Sequence, residues 1–150
     1  MSNDDIVDCL NDLIETCKDG EFGFNACAKH TSSSELRSVF LERAEECKSA
    51  AAELQPYVIQ YGGKPDEGGS ASGALHRGWV AVRGSLVGFS DQAMLDECER
   101  GEDAAKARYN KALKQDLPEP LMALVQRQAL GVQRNHDQIK ALRDRAKTNL

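Results

Sequence analysis

Residues 62–73 read GGKPDEGGSASG, and this loop divides the chain into two helical halves. Its Gly, Ser and Pro content disfavours regular helix and strand. In both flanking halves, apolar residues recur at spacings of three and four, which predicts two amphipathic helices per half. A short turn inside each half predicts an antiparallel helix pair. The connection between the pairs, roughly thirty residues long, can cross the whole bundle, which is the one-crossover topology of four-helix bundles.

The predicted helices contain a few identifiable irregularities. Pro56 lies inside the second helix and predicts a kink or a local widening there. Gly20 and Gly23 lie inside the first helix, where they mark either a weak point or a close approach of two helices. Trp79, in a short helical pattern within the crossover, is expected to plug one side of the bundle. The predicted helical segments are 4–30, 74–88, 91–115 and 119–147. A further helix follows the turn at 31–34 and ends at about residue 61.

Helix starts are predicted from capping residues. Ser2 or Asn3 is a suitable N-cap for the first helix, because the acidic residues that follow suit the positive end of the helix dipole. Ser32 and Glu35 match the capping-box pattern S-x-x-E at the start of the second helix. Ser90 is followed by an aspartate and predicts the start of the third helix.

Composition restricts the class of protein. A chain of 150 residues fits a single domain, expected to cover residues 1–150, and its 41% apolar content is enough for a core. The net charge of −5 disfavours general nucleic-acid binding, which needs a basic face. The sequence contains no run of about 18 apolar residues, so no membrane span is predicted. The acidic N-terminus is unlike a signal peptide, and an odd number of cysteines, five, favours reduced thiols in the cytoplasm.

Two carboxylates lie on apolar stripes at repeat-related positions. The segment around Cys17 aligns with the segment around Cys98, and each cysteine is followed by a Gly-Glu pair. The pairs end in Glu21 on the first helix and Glu102 on the third, both predicted to face the core. His136 falls on the inner face of the fourth helix by its spacing from neighbouring apolar residues.

The second helix adds polar residues to this predicted core layer. Glu46 and Arg43 lie beside its apolar stripe. A buried carboxylate is costly unless it is paired, hydrogen-bonded or bound to metal. One interpretation is therefore a metal site formed by Glu21, Glu46, Glu102 and His136, since carboxylates and imidazole suit Fe, Mn or Zn. The alternative is a buried polar network in which Arg43 and His136 neutralise the glutamates.

This pattern resembles the centre of di-iron ferritin-like proteins, which take one Glu from each of two helices and a Glu-x-x-His motif from each of the others. Glu21 and Glu102 are similar to the two single carboxylates. Two ligands are replaced: Ser49 stands where the second helix would have His, and Gln133 stands where Glu would precede His136. The resemblance therefore implies a degenerate di-metal site that is empty or holds one ion.

The whole chain also resembles a bacterial family of uncharacterised four-helix-bundle proteins related to rubrerythrins. The segments that carry this resemblance are GALHRGW at 73–79, ECERGED at 97–103 and NHDQI at 135–139. The resemblance implies an all-α, ferritin-like four-helix bundle of two antiparallel hairpins joined by a long crossover. It implies no particular reaction, because the family has no assigned function.

Three functional hypotheses follow from these residues. The first is a non-catalytic ferritin-like bundle with a stress-related or interaction role. The second is a metal-binding protein or oxidase that holds one Fe, Mn or Zn ion through the core Glu and His residues. The third is a partner-binding module that uses the Gly-rich loop and the segment near Trp79. Bundles of this kind often dimerise, so a homodimer is also an expectation.

Overall fold

A computed structural model of the protein describes residues 1–67, 79 and 90–148. Over these residues every regular element is an α-helix. The predicted short helix over 74–88 falls outside the described residues, apart from Trp79. The helices are α1 Asn3–His30, α2 Ser34–Gln60, α3 Asp91–Leu113 and α4 Leu121–Thr148.

The four helices form a bundle in which each one has two neighbours. α1 packs along α2, α3 packs along α4, and the two pairs meet through α1 with α3 and α2 with α4. The Thr31 hydroxyl, just after α1, donates to the Asp91 carboxylate at the start of α3 over 2.7 Å. Because α2 also starts beside the end of α1, its own end lies at the opposite end of the bundle from the start of α3. The end of α2 and the start of α3 are therefore placed as the predicted one-crossover topology requires.

The core consists of two apolar clusters stacked along the bundle axis. One lies near the end where α1 stops, and the other near the end where α1 begins. The first contains Phe24, Phe40, Trp79, Met94, Leu95 and Ile139, among others. The second contains Leu10, Leu13, Leu54, Tyr109, Leu121 and Val125, among others. The apolar stripes predicted for the helices supply most of both clusters, which confirms the all-α four-helix bundle.

Trp79 fills a gap between α1 and α3. Its indole is only 3% exposed. It packs against the faces of Gly23 and Gly101, and its ring centroid lies 5.1 Å from that of Phe24 in an edge-on arrangement. A Cβ on either glycine would overlap the indole, at 2.2 Å for Gly23 and 2.3 Å for Gly101. Gly23 thus makes room for the Trp79 plug, whereas the predicted close approach of two helices lies at Gly20, where an added Cβ would be 2.7 Å from the Cys47 sulfur of α2.

The capping box predicted for α2 is wrong by one residue. Ser33 is the N-cap, and its hydroxyl accepts from the backbone N–H of Leu36 over 3.1 Å. Ser32 takes no part in the cap, and Glu35 pairs instead with Arg145 near the end of α4, at 2.7 Å. Sequence alone could not choose between adjacent serines, since both are good caps.

We expect Ser33→Ala to lower the free energy of unfolding by about 1 kcal/mol, because it removes the acceptor for an N–H group in the first turn of α2. Ser32→Ala is the matched control and should leave stability within experimental error. Urea denaturation of both variants measures the difference. Equal destabilisation by the two changes would contradict the assigned cap.

The remaining boundaries differ little from the predictions. Ser2 and Ser90 are the N-caps of α1 and α3. α3 ends two residues earlier than predicted and α4 begins two residues later, because Pro118–Pro120 form the turn between them. α2 continues through Pro56 without interruption.

Basic residues of α4 pair with acidic residues of the other helices. Arg127 contacts Glu53 of α2 at 2.5 Å, and Arg143 pairs with Glu99 of α3. These ion pairs join α4 to both α2 and α3 across the bundle. Among the described helices, none combines the length and the apolar character that a bilayer span requires.

Candidate functional site

The structure brings together only two of the four predicted metal ligands. Glu46 and Glu102 line one cavity of about 460 Å³ inside the bundle, which we call the bundle cavity. His136 and Glu21 are absent from its described lining. Glu21 is half-buried and lies in a separate shallow pocket with Lys18 and other α1 residues. Other side chains lining the bundle cavity are those of Cys17, Phe24, Cys47, Trp79, Tyr109 and Gln128.

Glu102 is the most deeply buried carboxyl group of the bundle cavity. It is 5% exposed, and none of the described residues forms a hydrogen bond with it. Burial raises the pKa of this carboxyl to about 8, and the nearby charge of Glu46 acts in the same direction. The guanidinium of Arg43 opposes the shift without cancelling it. At neutral pH the group is therefore largely a neutral carboxylic acid.

Arg43 is buried, and its guanidinium contacts Glu46 and Asn135 rather than Glu102. Its guanidinium pairs with Glu46 at 2.8 Å and also donates to the side chain of Asn135. The Asn135 amide closes the triangle by donating to Glu46 over 2.8 Å. The Nε of Arg43 is buried with no hydrogen-bond partner in the described part of the chain. These contacts form a polar network around Glu46, but Glu46 is exposed and neither Glu21 nor His136 takes part, so the network differs from the buried one considered from the sequence.

A second polar group lies at the other end of the bundle cavity. The Tyr109 hydroxyl donates to the Gln128 side-chain oxygen over 2.8 Å and lies 3.3 Å from the Cys17 sulfur. The Gln128 amide in turn donates to the backbone oxygen of Ala50. Burial raises the pKa of Cys17 to about 11, so this thiol stays protonated at neutral pH. The contacts form a satisfied hydrogen-bonded layer rather than a redox pair.

His136 lies in a different constellation, at the contact of α3 with α4. Its Nε2 is 2.6 Å from a carboxylate oxygen of Asp103. Ligand atoms of Glu99, Asp103 and His136 all lie within 4.8 Å of one another, and we call these three residues the seam cluster. His136 is buried, Glu99 is half-buried and Asp103 is exposed, so the cluster opens toward solvent.

The other ring nitrogen of His136 also faces a carboxylate. Nδ1 lies 3.4 Å from Asp137, and the Gln133 amide donates to the same Asp137 oxygen over 2.9 Å. These two hydrogen bonds lower the pKa of Asp137. Gln133, one of the two positions where the resemblance to a di-iron centre fails, thus orients a residue beside His136. Ser49, the other such position, is exposed at the rim of the bundle cavity.

Sequence reasoning missed Glu99 and Asp103 as neighbours of His136. The available signal was their spacing of four residues, which places two carboxylates on one face of α3. The apolar stripe of this helix favoured Glu102 as the metal ligand instead, because a carboxylate among apolar residues is the more unusual feature. The pairing with His136 depends on the register of α3 against α4.

Comparisons with known proteins agree with this architecture. Residues 5–115 match the family model described as Domain of unknown function (DUF2383), so the match covers nearly all of α1 and the whole of α2 and α3 but ends before α4. A solved structure of a Dps1 mutant from Mycobacterium smegmatis is similar with a TM-score of 0.76 and 15% sequence identity. That similarity covers 94% of this chain and 96% of the other.

The sequence matches none of the curated proteins. At 15% identity the structural similarity shows the ferritin-like four-helix fold and nothing about activity. The family match is independent of it and covers more than half of the chain. The chain belongs to the family described as Domain of unknown function (DUF2383), and its fold is a ferritin-like four-helix bundle.

Proposed function

We propose that this protein is a metal-binding ferritin-like bundle that holds one divalent ion, Fe²⁺, Mn²⁺ or Zn²⁺, at the seam cluster. The observation that carries the proposal is the environment of His136, with a carboxylate on each ring nitrogen and Glu99 as a third donor nearby. One imidazole and two carboxylates form a ligand set that suits these ions.

The spacing of the donor atoms supports a single ion. Two ligands that bind one ion at about 2.1 Å lie roughly 3 to 3.5 Å apart. In the seam cluster the separations run from 2.6 Å between His136 and Asp103 to at most 4.8 Å. Small side-chain rotations of Asp103 and Glu99 are enough to bring the three donors to bonding distance, and the exposed side of the cluster leaves room for water ligands.

Asp137 and Gln133 supply the outer layer that such a site needs. A metal-bound histidine usually donates its second N–H to a carboxylate, which sets the tautomer and the ring orientation. Asp137 lies on that nitrogen at 3.4 Å, and Gln133 orients its carboxylate. When an ion binds at Nε2, the direct contact between His136 and Asp103 is broken and both side chains bind the same ion instead.

Arg143 is the main competitor for this site. It pairs with Glu99, so metal binding must loosen that ion pair. Arg143 also contacts Asp144 at 2.9 Å, which gives its guanidinium an alternative partner. We therefore expect moderate affinity, because the ion must compete with Arg143 for Glu99.

The predicted four-residue centre in the core has less support. Glu21 lines a separate pocket, and Glu46 is already bonded to Arg43 and Asn135. The proposal therefore retains His136 from the predicted set and replaces the three glutamates by Glu99 and Asp103. A non-catalytic stress-related or interaction role, cytoplasmic location and a homodimer stay predictions.

Elemental analysis and calorimetric titration with Mn²⁺, Fe²⁺ and Zn²⁺ test the proposal. The wild-type chain is expected to bind one ion, and chelator is expected to lower its melting temperature. His136→Ala should weaken binding at least tenfold, because it removes the nitrogen ligand, and Asp137→Asn should weaken it about 10- to 100-fold.

Glu21→Gln and Glu102→Gln are the controls, since neither residue supplies a donor atom to the seam cluster. Retention of full metal affinity by His136→Ala would refute the proposal. Loss of the ion in Glu102→Gln but not in His136→Ala would restore the core site instead.

A further inference from the structure

The bundle cavity has the dimensions of a small-molecule site. Its volume of about 460 Å³ lies within the range of pockets that enclose such ligands. Its walls are mainly apolar, with Phe24, Trp79 and Val132 among the lining side chains. A few polar groups converge on this apolar space, which is the usual composition of a binding pocket.

Charge on the cavity wall favours a cation. Among the described residues, five glutamates line the cavity, and the only positive side chains on the wall are two arginines. Arg127, one of the two, is already paired with Glu53 at 2.5 Å. Behind the wall, Arg43 is likewise committed to Glu46. An anionic ligand would therefore meet a surplus of carboxylates.

Among the described residues on the cavity wall, Glu102 is the buried carboxyl group. It is 5% exposed, and no described residue hydrogen-bonds to it. In the described part of the chain, the one fully enclosed side-chain polar atom without a partner is the Arg43 Nε, so the Glu102 oxygens face the open space of the cavity, where a ligand can reach them. The neighbouring Tyr109, Gln128 and Glu46 groups are satisfied by one another or by protein atoms.

We propose that the bundle cavity binds a small organic molecule with an apolar body and a protonated amine, whose ammonium group donates hydrogen bonds to the Glu102 carboxylate. The cation replaces the proton that Glu102 carries at neutral pH, and that proton passes to solvent. The apolar body lies against Phe24 and Trp79, and the acidic rim attracts the positive charge. A charge-assisted bond in a largely apolar cavity is stronger than its neutral equivalent. This site is separate from the seam cluster and does not depend on metal binding there.

A metal ion is a weaker fit to the same cavity. Of the other carboxylates on its wall, Glu46 and Glu53 are engaged by arginines. Within the described part of the chain, Glu102 does not belong to any set of three His, Cys, Asp or Glu side chains whose donor atoms all lie within 4.8 Å of one another. The apolar walls favour an organic body because its burial adds binding free energy that an ion cannot gain.

Trp79 provides the readout, because it is the single tryptophan of the chain and lines the cavity. We would titrate the full chain with hexylamine and with 1-hexanol, a neutral molecule of similar size, in the presence of EDTA at constant pH. The expected result is a saturable change in tryptophan emission with hexylamine and at least tenfold weaker binding of hexanol.

Variants link the binding to Glu102. Glu102→Gln should weaken hexylamine binding at least tenfold and leave hexanol binding unchanged, while Glu21→Gln, whose side chain lines a separate pocket, should have less than a twofold effect. His136→Ala should bind hexylamine like the wild type, which separates this site from the metal proposal. Circular dichroism melting confirms that each variant is folded.

Three outcomes would overturn the proposal: no saturable response to hexylamine, equal affinity for hexylamine and hexanol, or unchanged hexylamine binding in Glu102→Gln. A Zn²⁺ titration without EDTA tests whether the cavity binds a metal ion instead of an amine. If Zn²⁺ changes the emission in a Glu102-dependent way while hexylamine does not, the cavity is a metal site and the amine proposal is wrong.

Discussion

Gly101→Ala is expected to destabilise the protein by about 3 kcal/mol, a larger effect than most single substitutions cause. The new Cβ would lie 2.3 Å from two atoms of the Trp79 ring. A rigid indole cannot yield as the end of a flexible side chain can, so Trp79 must shift or leave its site. Overpacking costs about 1–3 kcal/mol, and lost tryptophan burial costs more, about 3–5 kcal/mol.

Gly131→Ala is the matched control for this prediction. Gly131 also lies inside a helix, but the nearest atom to an added Cβ is the flexible end of Arg134 at 3.7 Å. There the gain in helix propensity, about 1 kcal/mol, should raise stability. Urea denaturation measures both variants, and a red shift in tryptophan emission would report Trp79 leaving the core. A Gly101→Ala variant as stable as the wild type would contradict the packing of Trp79.

Glu102→Gln is expected to raise the free energy of unfolding at pH 8.5, on the order of 2–4 kcal/mol, because a tenfold difference in proton affinity is equivalent to about 1.36 kcal/mol. The folded protein holds the Glu102 proton up to about pH 8, since burial raises the pKa of this carboxyl, whereas the unfolded chain releases it near the ordinary value of 4.5. Unfolding therefore releases a proton between these values, and wild-type stability falls as pH rises through that window. Glutamine has no proton to lose and avoids this cost.

The pH dependence distinguishes this effect from a general change in packing. The difference between the variant and the wild type should be small at pH 4.5, grow between pH 4.5 and 8, and stay constant above. Glu45→Gln on the exposed face of α2 serves as the control and should show no such trend. Denaturant unfolding at pH 4.5, 6 and 8.5 measures the trend. A difference that does not vary with pH would mean that Glu102 is ionised in the folded protein.

Local features of the helices were predictable because they depend on residues close in sequence. The apolar stripe of α1, including Leu10 and Phe24, is buried as the spacing of three and four predicts. Ser2 and Ser90 cap their helices by bonds to N–H groups three residues away. Even the error at Ser33 is a shift of one residue between two equivalent serines.

The internal repeat was a misleading guide to burial. Sequence alignment equates Gly20 with Gly101 and Glu21 with Glu102. In the structure Trp79 packs against Gly23 and Gly101. The repeat predicts Gly20 as the partner of Gly101, but the glycine of α1 that contacts the indole is Gly23, three residues later. With α1 oriented in that way, Glu21 moves to the flank while Glu102 stays in the core.

By itself, the sequence determined the helices, their caps, their core faces and the crossover, since periodicity, capping chemistry and loop length act locally. Only the tertiary structure decided which polar side chains meet. The rotation of α1 against Trp79 separates Glu21 from Glu102, and the register of α3 on α4 joins Asp103 to His136 at 2.6 Å. Rotation and register are set by the packing of side chains distant in sequence, and a turn of one helix by a single residue, about 100°, is enough to move a carboxylate from one site to another.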